Sequence, residues 1–436
     1  MKAAIIALLL LIGLTPAAGQ GAPVTVQNLR LWQAPDNTRL VFDLSAPLEH
    51  RLFMLRDPDR IVIDMDNARL LGTLPEFDFN GPRLAGVRTG SQGEQRLRVV
   101  LDLKRVARPR TFVLRPYGQY GHRLVIDLED PETVTQTPAK PAPQDRPTRR
   151  ELLIAIDPGH GGEDPGAIGR RYRTKEKDVT LAIARVLAKE VNATRGMRAL
   201  LTRDGDYYVD LGKRFAIARQ HWADIFVSIH ADALPGRRTR ARGASVYALS
   251  ERGASSALAK MIADKENASD LIGGVSLNDK DDLLRKVLLD LSQTATIGSS
   301  LELGADVLSG LRGVGPIHLD TVQQAGFAVL KAPDVPSILI ETAFLSNPSE
   351  EKKLRSRSYQ RKLADGIFRG IKRYASRHLP SRLKQQASNG SRIHVVQPGD
   401  TLSAIARIYG IQEDALRLVN KLPNSTIRIG SELVIP

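Results

Sequence analysis

The chain has 436 residues, 42% of them hydrophobic and 25% charged, which suits roughly two to four folded domains and excludes widespread disorder. Its formal charge of +15 is dispersed along the sequence; this fits attraction to an anionic polymer or surface, and no nucleic-acid-binding motif accompanies it. With no cysteine present, disulfides and thiolate ligands are excluded, so a transition-metal site has to be built from His, Asp and Glu.

Residues 1–19, MKAAIIALLLLIGLTPAAG, read as a secretory signal peptide. Lys2 precedes an apolar run from Ala3 to Leu14, and Ala17 and Gly19 supply the small residues of a cleavage site. The run is too short for an ordinary membrane span. Without an Arg-Arg pair the general secretory pathway is expected, and without a cysteine there is no lipoprotein anchor. No later run approaches a span, so the mature protein is expected to be exported and to have no transmembrane segment.

Between residues 23 and 130 a pattern recurs: TRLVFDLS from Thr38, DRIVIDMD from Asp59, LRVVLDLK from Leu97 and HRLVIDLE from His122. Short β-branched runs, each ending near an Asp and bounded by turn residues, predict a β-sandwich. The proline-dense stretch 131–150 reads as a linker.

Residues 151–379 alternate strand-like runs with amphipathic helices, which predicts an α/β domain with a mostly parallel sheet flanked by helices. Strands are expected at LLIAID (152–157), DIFVSIH (224–230) and SILIET (337–342), and a helix at Glu176 with Val179, Ile183, Val186 and Val191 on its apolar face. Asn347, Pro348 and Glu350 fit the cap, first turn and N3 position of a further helix. Residues 250–325 interrupt the alternation and read as a mostly helical insertion. In it Leu284, Leu288, Leu291, Ala295 and Leu301 mark one stripe of a helix about thirty residues long. A second linker is expected at 380–391, and 392–436 reads as a small strand–helix–helix–strand module.

The stretch AIDPGHGGEDPGA places His160 in a glycine-rich loop at the end of the first α/β strand. It lacks the Lys-Ser/Thr of a phosphate loop, and its acidic pair would repel phosphate. His230 in VSIHAD and Glu341 in LIETAF also stand at the carboxyl ends of predicted strands, and Glu176 opens a helix on the same edge. Because the carboxyl ends of strands in an open α/β sheet converge on one crevice, these residues are expected to meet there. Each taken singly has an ordinary explanation: a buried structural histidine, a carboxylate favoured by a helix dipole, a solvated strand end. Together, two His and two Glu suit a zinc hydrolase site.

Through DPGHGG, the Glu176 helix, SIHAD and ETAFLSN, residues 151–376 resemble the catalytic domain of zinc-dependent N-acetylmuramoyl-L-alanine amidases of the periplasmic cell-division type. Residues 23–130 resemble the AMIN domain of that family, and the final segment, with PGDTLSAIA and LVIP, resembles a LysM module. The resemblance implies a Zn2+ cofactor held by His160, Glu176 and His230, with Glu341 as the catalytic carboxylate. It further implies hydrolysis of the amide between N-acetylmuramic acid and L-alanine in peptidoglycan, for septal wall splitting in the periplasm.

One further carboxylate is of interest. Leu258, Ile262 and Glu266 are spaced i, i+4, i+8, so Glu266 continues an apolar face near a helix C-terminus, where the dipole opposes it and a cation is wanted. An arginine is the ordinary candidate. The family resemblance instead implies an autoinhibitory helix whose acidic residue occupies the zinc, Glu266 first and Asp270 second, released by a LytM-domain activator protein. Two other readings compete: a non-catalytic peptidoglycan-binding scaffold with a degenerate site, and a zinc peptidase acting on the wall peptides.

Overall fold

The computed structural model describes residues 22–93, 96–131, 151–234, 241–273, 293–332, 334–378, 392–396, 400–409, 411–420, 422, 424–428 and 430–435. The proposed signal peptide, the linker after residue 131 and Leu284, Leu288 and Leu291 lie outside them. No helix among the described residues is long and apolar enough to cross a membrane. The chain divides into two compact units, with the main break after Glu132.

The first unit contains β1 (Val24–Gln33), β2 (Asn37–Leu44), β3 (His50–Leu55), β4 (Arg60–Asp66), β5 (Ala68–Leu70), β6 (Leu84–Gln92), β7 (Arg96–Leu103), β8 (Arg108–Leu114) and β9 (His122–Glu129). One sheet runs β5-β1-β2-β9-β8 and the other β3-β4-β7-β6. Leu40, Phe42, Ile61, Ile63, Leu101, Leu124 and Ile126 join them in one core, as a sandwich requires. The recurrent Arg and Asp of the strands also find a reason. In the antiparallel β2–β9 pair Arg39 stands opposite Asp127 and Asp43 opposite Arg123, and in β4–β7 Asp64 stands opposite Arg98 and Arg60 opposite Asp102. The repeat is therefore self-complementary: a strand with Arg early and Asp late pairs, head to tail, with another of the same kind. Arg39 grips Asp127 through two 2.6 Å hydrogen bonds, and Arg98 grips Asp64 in the same way.

In the second unit β10 (Leu152–Pro158), β11 (Met197–Leu201), β12 (Ile225–His230), β13 (Ser245–Leu249), β14 (Gln323–Ala325) and β15 (Ser337–Glu341) form a sheet of order β11-β10-β12-β15-β13-β14. Only the β13–β15 pairing is antiparallel. The helices are α1 (Glu176–Asn192), α2 (Leu211–Gln220), α3 (Ala257–Asn267), α4 (Ser269–Gly273), α5 (Gln293–Arg312), α6 (Pro348–Leu354) and α7 (Arg357–His378). Alternate residues of each central strand serve opposite faces. Ile154, Ile156, Val227, Ile229, Ile338 and Ile340 pack under α1, α5 and α7, whereas Leu153, Ala155, Phe226 and Leu339 pack against α2 and α3.

The helical segment after residue 250 is thus of two kinds. Leu303, Val307, Leu308 and Leu311 of α5 are part of the main core, and β14 completes the sheet edge, so this portion belongs to the domain proper. Gly310, Gly366 and Gly370 let α5 and α7 approach closely: a Cβ at Gly370 would lie 2.3 Å from Val307 Cα. Asn347 caps α6 through the Ser349 N–H, as its sequence predicts. Glu350 does not complete a capping box. Its carboxylate instead accepts from the backbone N–H groups of Gly243 and Phe344.

At the C-terminus β16 (Arg392–Val395) and β17 (Glu432–Ile435) pair antiparallel around α8 (Leu402–Tyr409) and α9 (Glu413–Val419). Val396, Leu402, Ile405, Leu416 and Leu433 form the small core of this module.

Candidate metal centre

His160 sits where β10 turns into the glycine-rich loop, with a left-handed φ of 61°. That uncommon conformation is held by two fully buried arginines. Arg203 donates to the carbonyls of Pro158 and Gly159 at 2.9 and 2.8 Å, and Arg214 to those of Pro158 and His160 at 2.9 and 3.0 Å. Arg214 is itself fixed by Asp157, whose carboxylate also accepts from Thr202 and Ser228. Burial opposes the Asp157 charge, but Arg214 and the two hydroxyls hold its carboxyl below the usual range. Gly159 has to be glycine, because a Cβ there would meet the His230 ring at 2.4 Å.

The structure brings His160, Glu176 and His230 together from three elements, and Glu266 of α3 completes the group. His160 Nε2 lies 3.2 Å from Glu176 Oε2 and 3.2 Å from Glu266 Oε2; His230 Nδ1 lies 3.3 Å from Glu176 Oε1 and 3.0 Å from Glu266 Oε2. All four residues are buried. With metal–ligand bonds of about 2.0–2.1 Å, the edge of a tetrahedral zinc site is about 3.3–3.4 Å, close to these separations.

The hydrogen bonding of the donors also fits a metal. Asp164 accepts from His160 Nδ1 at 2.7 Å, which leaves Nε2 aimed inward as the lone-pair nitrogen. Glu176 is held by the N–H groups of Ala167 and Ala231 at 2.8 and 2.7 Å. By contrast, His160 Nε2, His230 Nδ1 and both carboxylate oxygens of Glu266 have no hydrogen-bond partner among the described residues. Four buried donor atoms, on three side chains, that converge without partners are costly unless a cation satisfies them. The electrostatics agree. Burial alone would lower both imidazoles, yet the surrounding carboxylates raise His160 well above its usual value and push His230 up to about 10.

Glu341 stands beside this group. It is register partner of His230 across β12–β15, its Oε2 accepts from the Asp232 N–H at 2.8 Å, and its Oε1 has no partner among the described residues. Burial, reinforced by Asp232, Glu176 and Glu266 against the opposing pull of His230, raises its carboxyl well above the ordinary range.

Asp270 is placed elsewhere. Its Oδ1 accepts from the Tyr208 hydroxyl at 2.7 Å and the Leu211 N–H at 3.1 Å, tying α4 to the start of α2. Residues not singled out by sequence reasoning are Asp164, Asp232, Lys265, Arg203 and Arg214. Lys265 reaches from α3 into the site, where it pairs with Asp232 and lies 3.7 Å from Glu266 Oε1. The sequence signal for Asp164 is its position four residues after His160 in the same loop.

Comparison with known proteins agrees along the chain. The N-acetylmuramoyl-L-alanine amidase family profile matches residues 154–373, the AMIN domain matches 28–128 and the LysM domain matches 394–436. The chain is 40% identical over 375 residues to N-acetylmuramoyl-L-alanine amidase AmiC of Escherichia coli O6:H1, covering 80% of this chain and 89% of that one. It is 39% identical over 373 residues to AmiC of Neisseria meningitidis serogroup B, covering 79% and 88%. Among solved structures, AmiC2 of Nostoc punctiforme aligns at 30% identity and a TM-score of 0.37, over 52% of this chain and 97% of that one.

Proposed function

The chain belongs to the N-acetylmuramoyl-L-alanine amidase family, and from that premise we propose how its residues carry the reaction and how they are held in check. The protein is a peptidoglycan amidase of cell separation, with AMIN and LysM domains beside its catalytic domain. The metal is zinc, and its ligands are His160, Glu176 and His230. The observation that carries this reading is the convergence of unpartnered, buried His160 Nε2 and His230 Nδ1 on Glu176 at tetrahedral-edge distances.

Zinc, when bound, would polarise the scissile carbonyl and bring the acidity of water toward neutral pH, to a pKa of about 7. Glu341 acts as the general base: its Oε1 takes a proton from the attacking water and returns it to the departing L-alanine amine. The Asp232 N–H, bound to Oε2, fixes the carboxylate so that Oε1 faces the reaction. Asp164 fixes the His160 tautomer, and Arg203 and Arg214 fix the backbone that aims it.

Glu266 occupies the position that an open coordination site requires. It is a removable fourth ligand, and α3 is the autoinhibitory element, as its 3.0 and 3.2 Å approaches to the two histidines support. The Lys265–Asp232 pair and the Asp270–Tyr208 hydrogen bond add to its hold. A LytM-domain activator that displaces α3 would expose the centre. The enzyme works in the periplasm, enriched at the septum and exported by the general secretory pathway after loss of residues 1–19. The domain limits are 23–130 (AMIN-like), 151–379 (catalytic) and 392–436 (LysM-like), joined by linkers at 131–150 and 380–391. A non-catalytic scaffold is disfavoured by the completeness of the donor set.

The test is mass spectrometry of products released from purified peptidoglycan by zinc-loaded full-length Glu266→Ala protein. Stem peptides with free N-terminal L-alanine support the reading; a folded, zinc-binding protein that releases none supports the scaffold. Because α5 and β14 belong to the core, a single substitution is preferable to removal of residues 250–325.

A further inference from the structure

The segment GRRYRTK, between the loop of His160 and the ligand Glu176, closes on itself as a hairpin. Ile168 bridges Lys175, and the Gly169 N–H donates to the Thr174 carbonyl at 2.8 Å. At its inner end the Ala167 N–H binds Glu176 Oε2. The hairpin is clamped from outside by Glu351 of α6. That carboxylate accepts from the backbone N–H groups of Arg171, Tyr172 and Thr174 at 3.0, 3.0 and 3.1 Å. The contact leaves no room for a side chain at Gly169, whose Cβ would lie 2.0 Å from Glu351 Oε1.

The clamp uses the backbone N–H groups of the hairpin, so the charged ends of its own side chains are not consumed by it. Arg170, Arg171, Tyr172, Arg173 and Lys175 are exposed, and so are Lys352, Lys353 and Arg355 of the adjoining α6 end. Arg355 stacks over the Tyr172 ring at 4.7 Å and Arg171 at 5.6 Å, so the guanidinium groups are gathered around one aromatic face. None of these cations makes an ion pair among the described residues. Glu351, the acid in their midst, is buried and spent on backbone N–H groups. A concentration of like charge without internal neutralisation is held against its own repulsion, and calls for an external anion.

We propose that this hairpin is a substrate-recognition surface that binds the carboxylates of the peptidoglycan stem peptide. The inference rests on peptidoglycan as substrate. The stem peptide carries free carboxylates a few bonds beyond the scissile amide. The hairpin leads directly into Glu176, so it stands on the carboxyl edge of the sheet where the amide must be placed. Its Arg forks suit carboxylates, and the Glu351 clamp fixes the backbone from which they project.

The test compares full-length Glu266→Ala protein with the same chain carrying R170Q/R171Q/R173Q/K175Q. Probes are the tripeptide L-Ala-γ-D-Glu-diaminopimelate, its fully amidated form and the corresponding disaccharide-peptides. Binding of the charged tripeptide is expected to weaken about ten-fold, with a matching rise in KM and little change in kcat on the charged disaccharide-peptide. The amidated probes are expected to bind and react equally with both proteins. A variant with three Arg→Lys changes at 170, 171 and 173 keeps the charge and should retain most of the binding, which separates recognition from misfolding. Equal losses on charged and amidated probes, or no loss on either, would overturn the proposal. So would a loss confined to intact sacculi, which would assign the patch to another wall anion. Hairpin-dependent binding without product release would instead leave this proposal standing and overturn the amidase chemistry.

Discussion

His230 and Glu341 are direct register partners on adjacent parallel strands, β12 and β15, so the sheet itself sets the imidazole proposed as a metal ligand beside the carboxylate proposed as general base. Both side chains project from the carboxyl edge of a sheet whose strands are buried on both faces. The proposed separation of roles follows from their neighbours: His230 points at Glu176 and Glu266, whereas Glu341 keeps one oxygen on the Asp232 N–H and the other without a partner among the described residues. Glu341→Gln should therefore reduce amide hydrolysis by about 10²–10⁴-fold, the usual scale of a general base, while zinc content stays that of the parent. Single-turnover release of stem peptides beside metal analysis of the same protein checks both halves. Loss of zinc in the variant would make Glu341 a ligand instead.

Release of α3 is the second prediction. Keeping about 99% of molecules closed requires only about 2.7 kcal/mol, half the free energy of a full two-state reversal, and Glu266 and Lys265 are the contacts of α3 that would supply it. Glu266→Ala should raise basal hydrolysis by up to about 100-fold. Lys265→Met removes the pair with Asp232 but leaves Glu266 in place, so its gain should be smaller, on the order of ten-fold, equivalent to about 1.4 kcal/mol. Dye-release assays on labelled sacculi without activator measure both. Basal rates unchanged in either variant would mean that α3 is not the brake.

Much of this centre was legible before the fold was known, because the chemistry and the topology were encoded together. His160, His230 and Glu341 each end an apolar run, and an apolar run in alternation with helices means a buried parallel strand whose carboxyl end opens on the crevice. The spacing of Leu258, Ile262 and Glu266 also pointed inward, and Glu266 is buried there. Less legible were contacts set by tertiary packing. Nothing in the pattern of arginine positions distinguishes the buried Arg203 and Arg214 from the exposed Arg170 and Arg171, since only the fold decides which guanidinium meets a loop carbonyl. Likewise α5 read as part of an insertion, because an amphipathic helix has the same pattern whether its apolar face meets the domain core or a regulatory partner. The short β14 gave no periodicity to find, with three residues only.

Asp164 offers a test of how His160, the first of the proposed ligands, is prepared. Its carboxylate binds His160 Nδ1 and also accepts from the Gly166 N–H at 3.0 Å, linking the ring to the loop that carries it. Asp164→Asn keeps the size but removes the charge that favours the Nδ1–H tautomer and raises the basicity of Nε2. Zinc affinity should fall about 10–100-fold, as for other partners behind a metal-bound histidine. Competition with a fluorescent chelator reads this directly, without reference to turnover. An unchanged affinity would show that the loop backbone alone orients His160.

A pH dependence arises far from the metal, where α1 meets α7. Glu190 of α1 is pushed up to about 7 from its ordinary 4.5, first by burial and then by hydrogen bonding to and repulsion from Asp365 of α7, with Arg369 and Arg361 opposing. Between those two pH values the folded protein retains a proton that the unfolded chain has released, so stability falls as the pH rises from about 4.5 to about 7, and the whole penalty is present above that. Glu190 is partly exposed, and solvent screening discounts the penalty to roughly 1 kcal/mol. Glu190→Gln keeps one hydrogen-bonding group against Asp365 and removes the titration. It should raise Tm by roughly 2–4 °C at about pH 8 and leave it unchanged at about pH 4. Thermal melts of the metal-loaded protein at the two pH values decide the matter: a gain of equal size at both would mean that the substitution improves packing between α1 and α7, and that the Glu190 carboxyl does not titrate with folding.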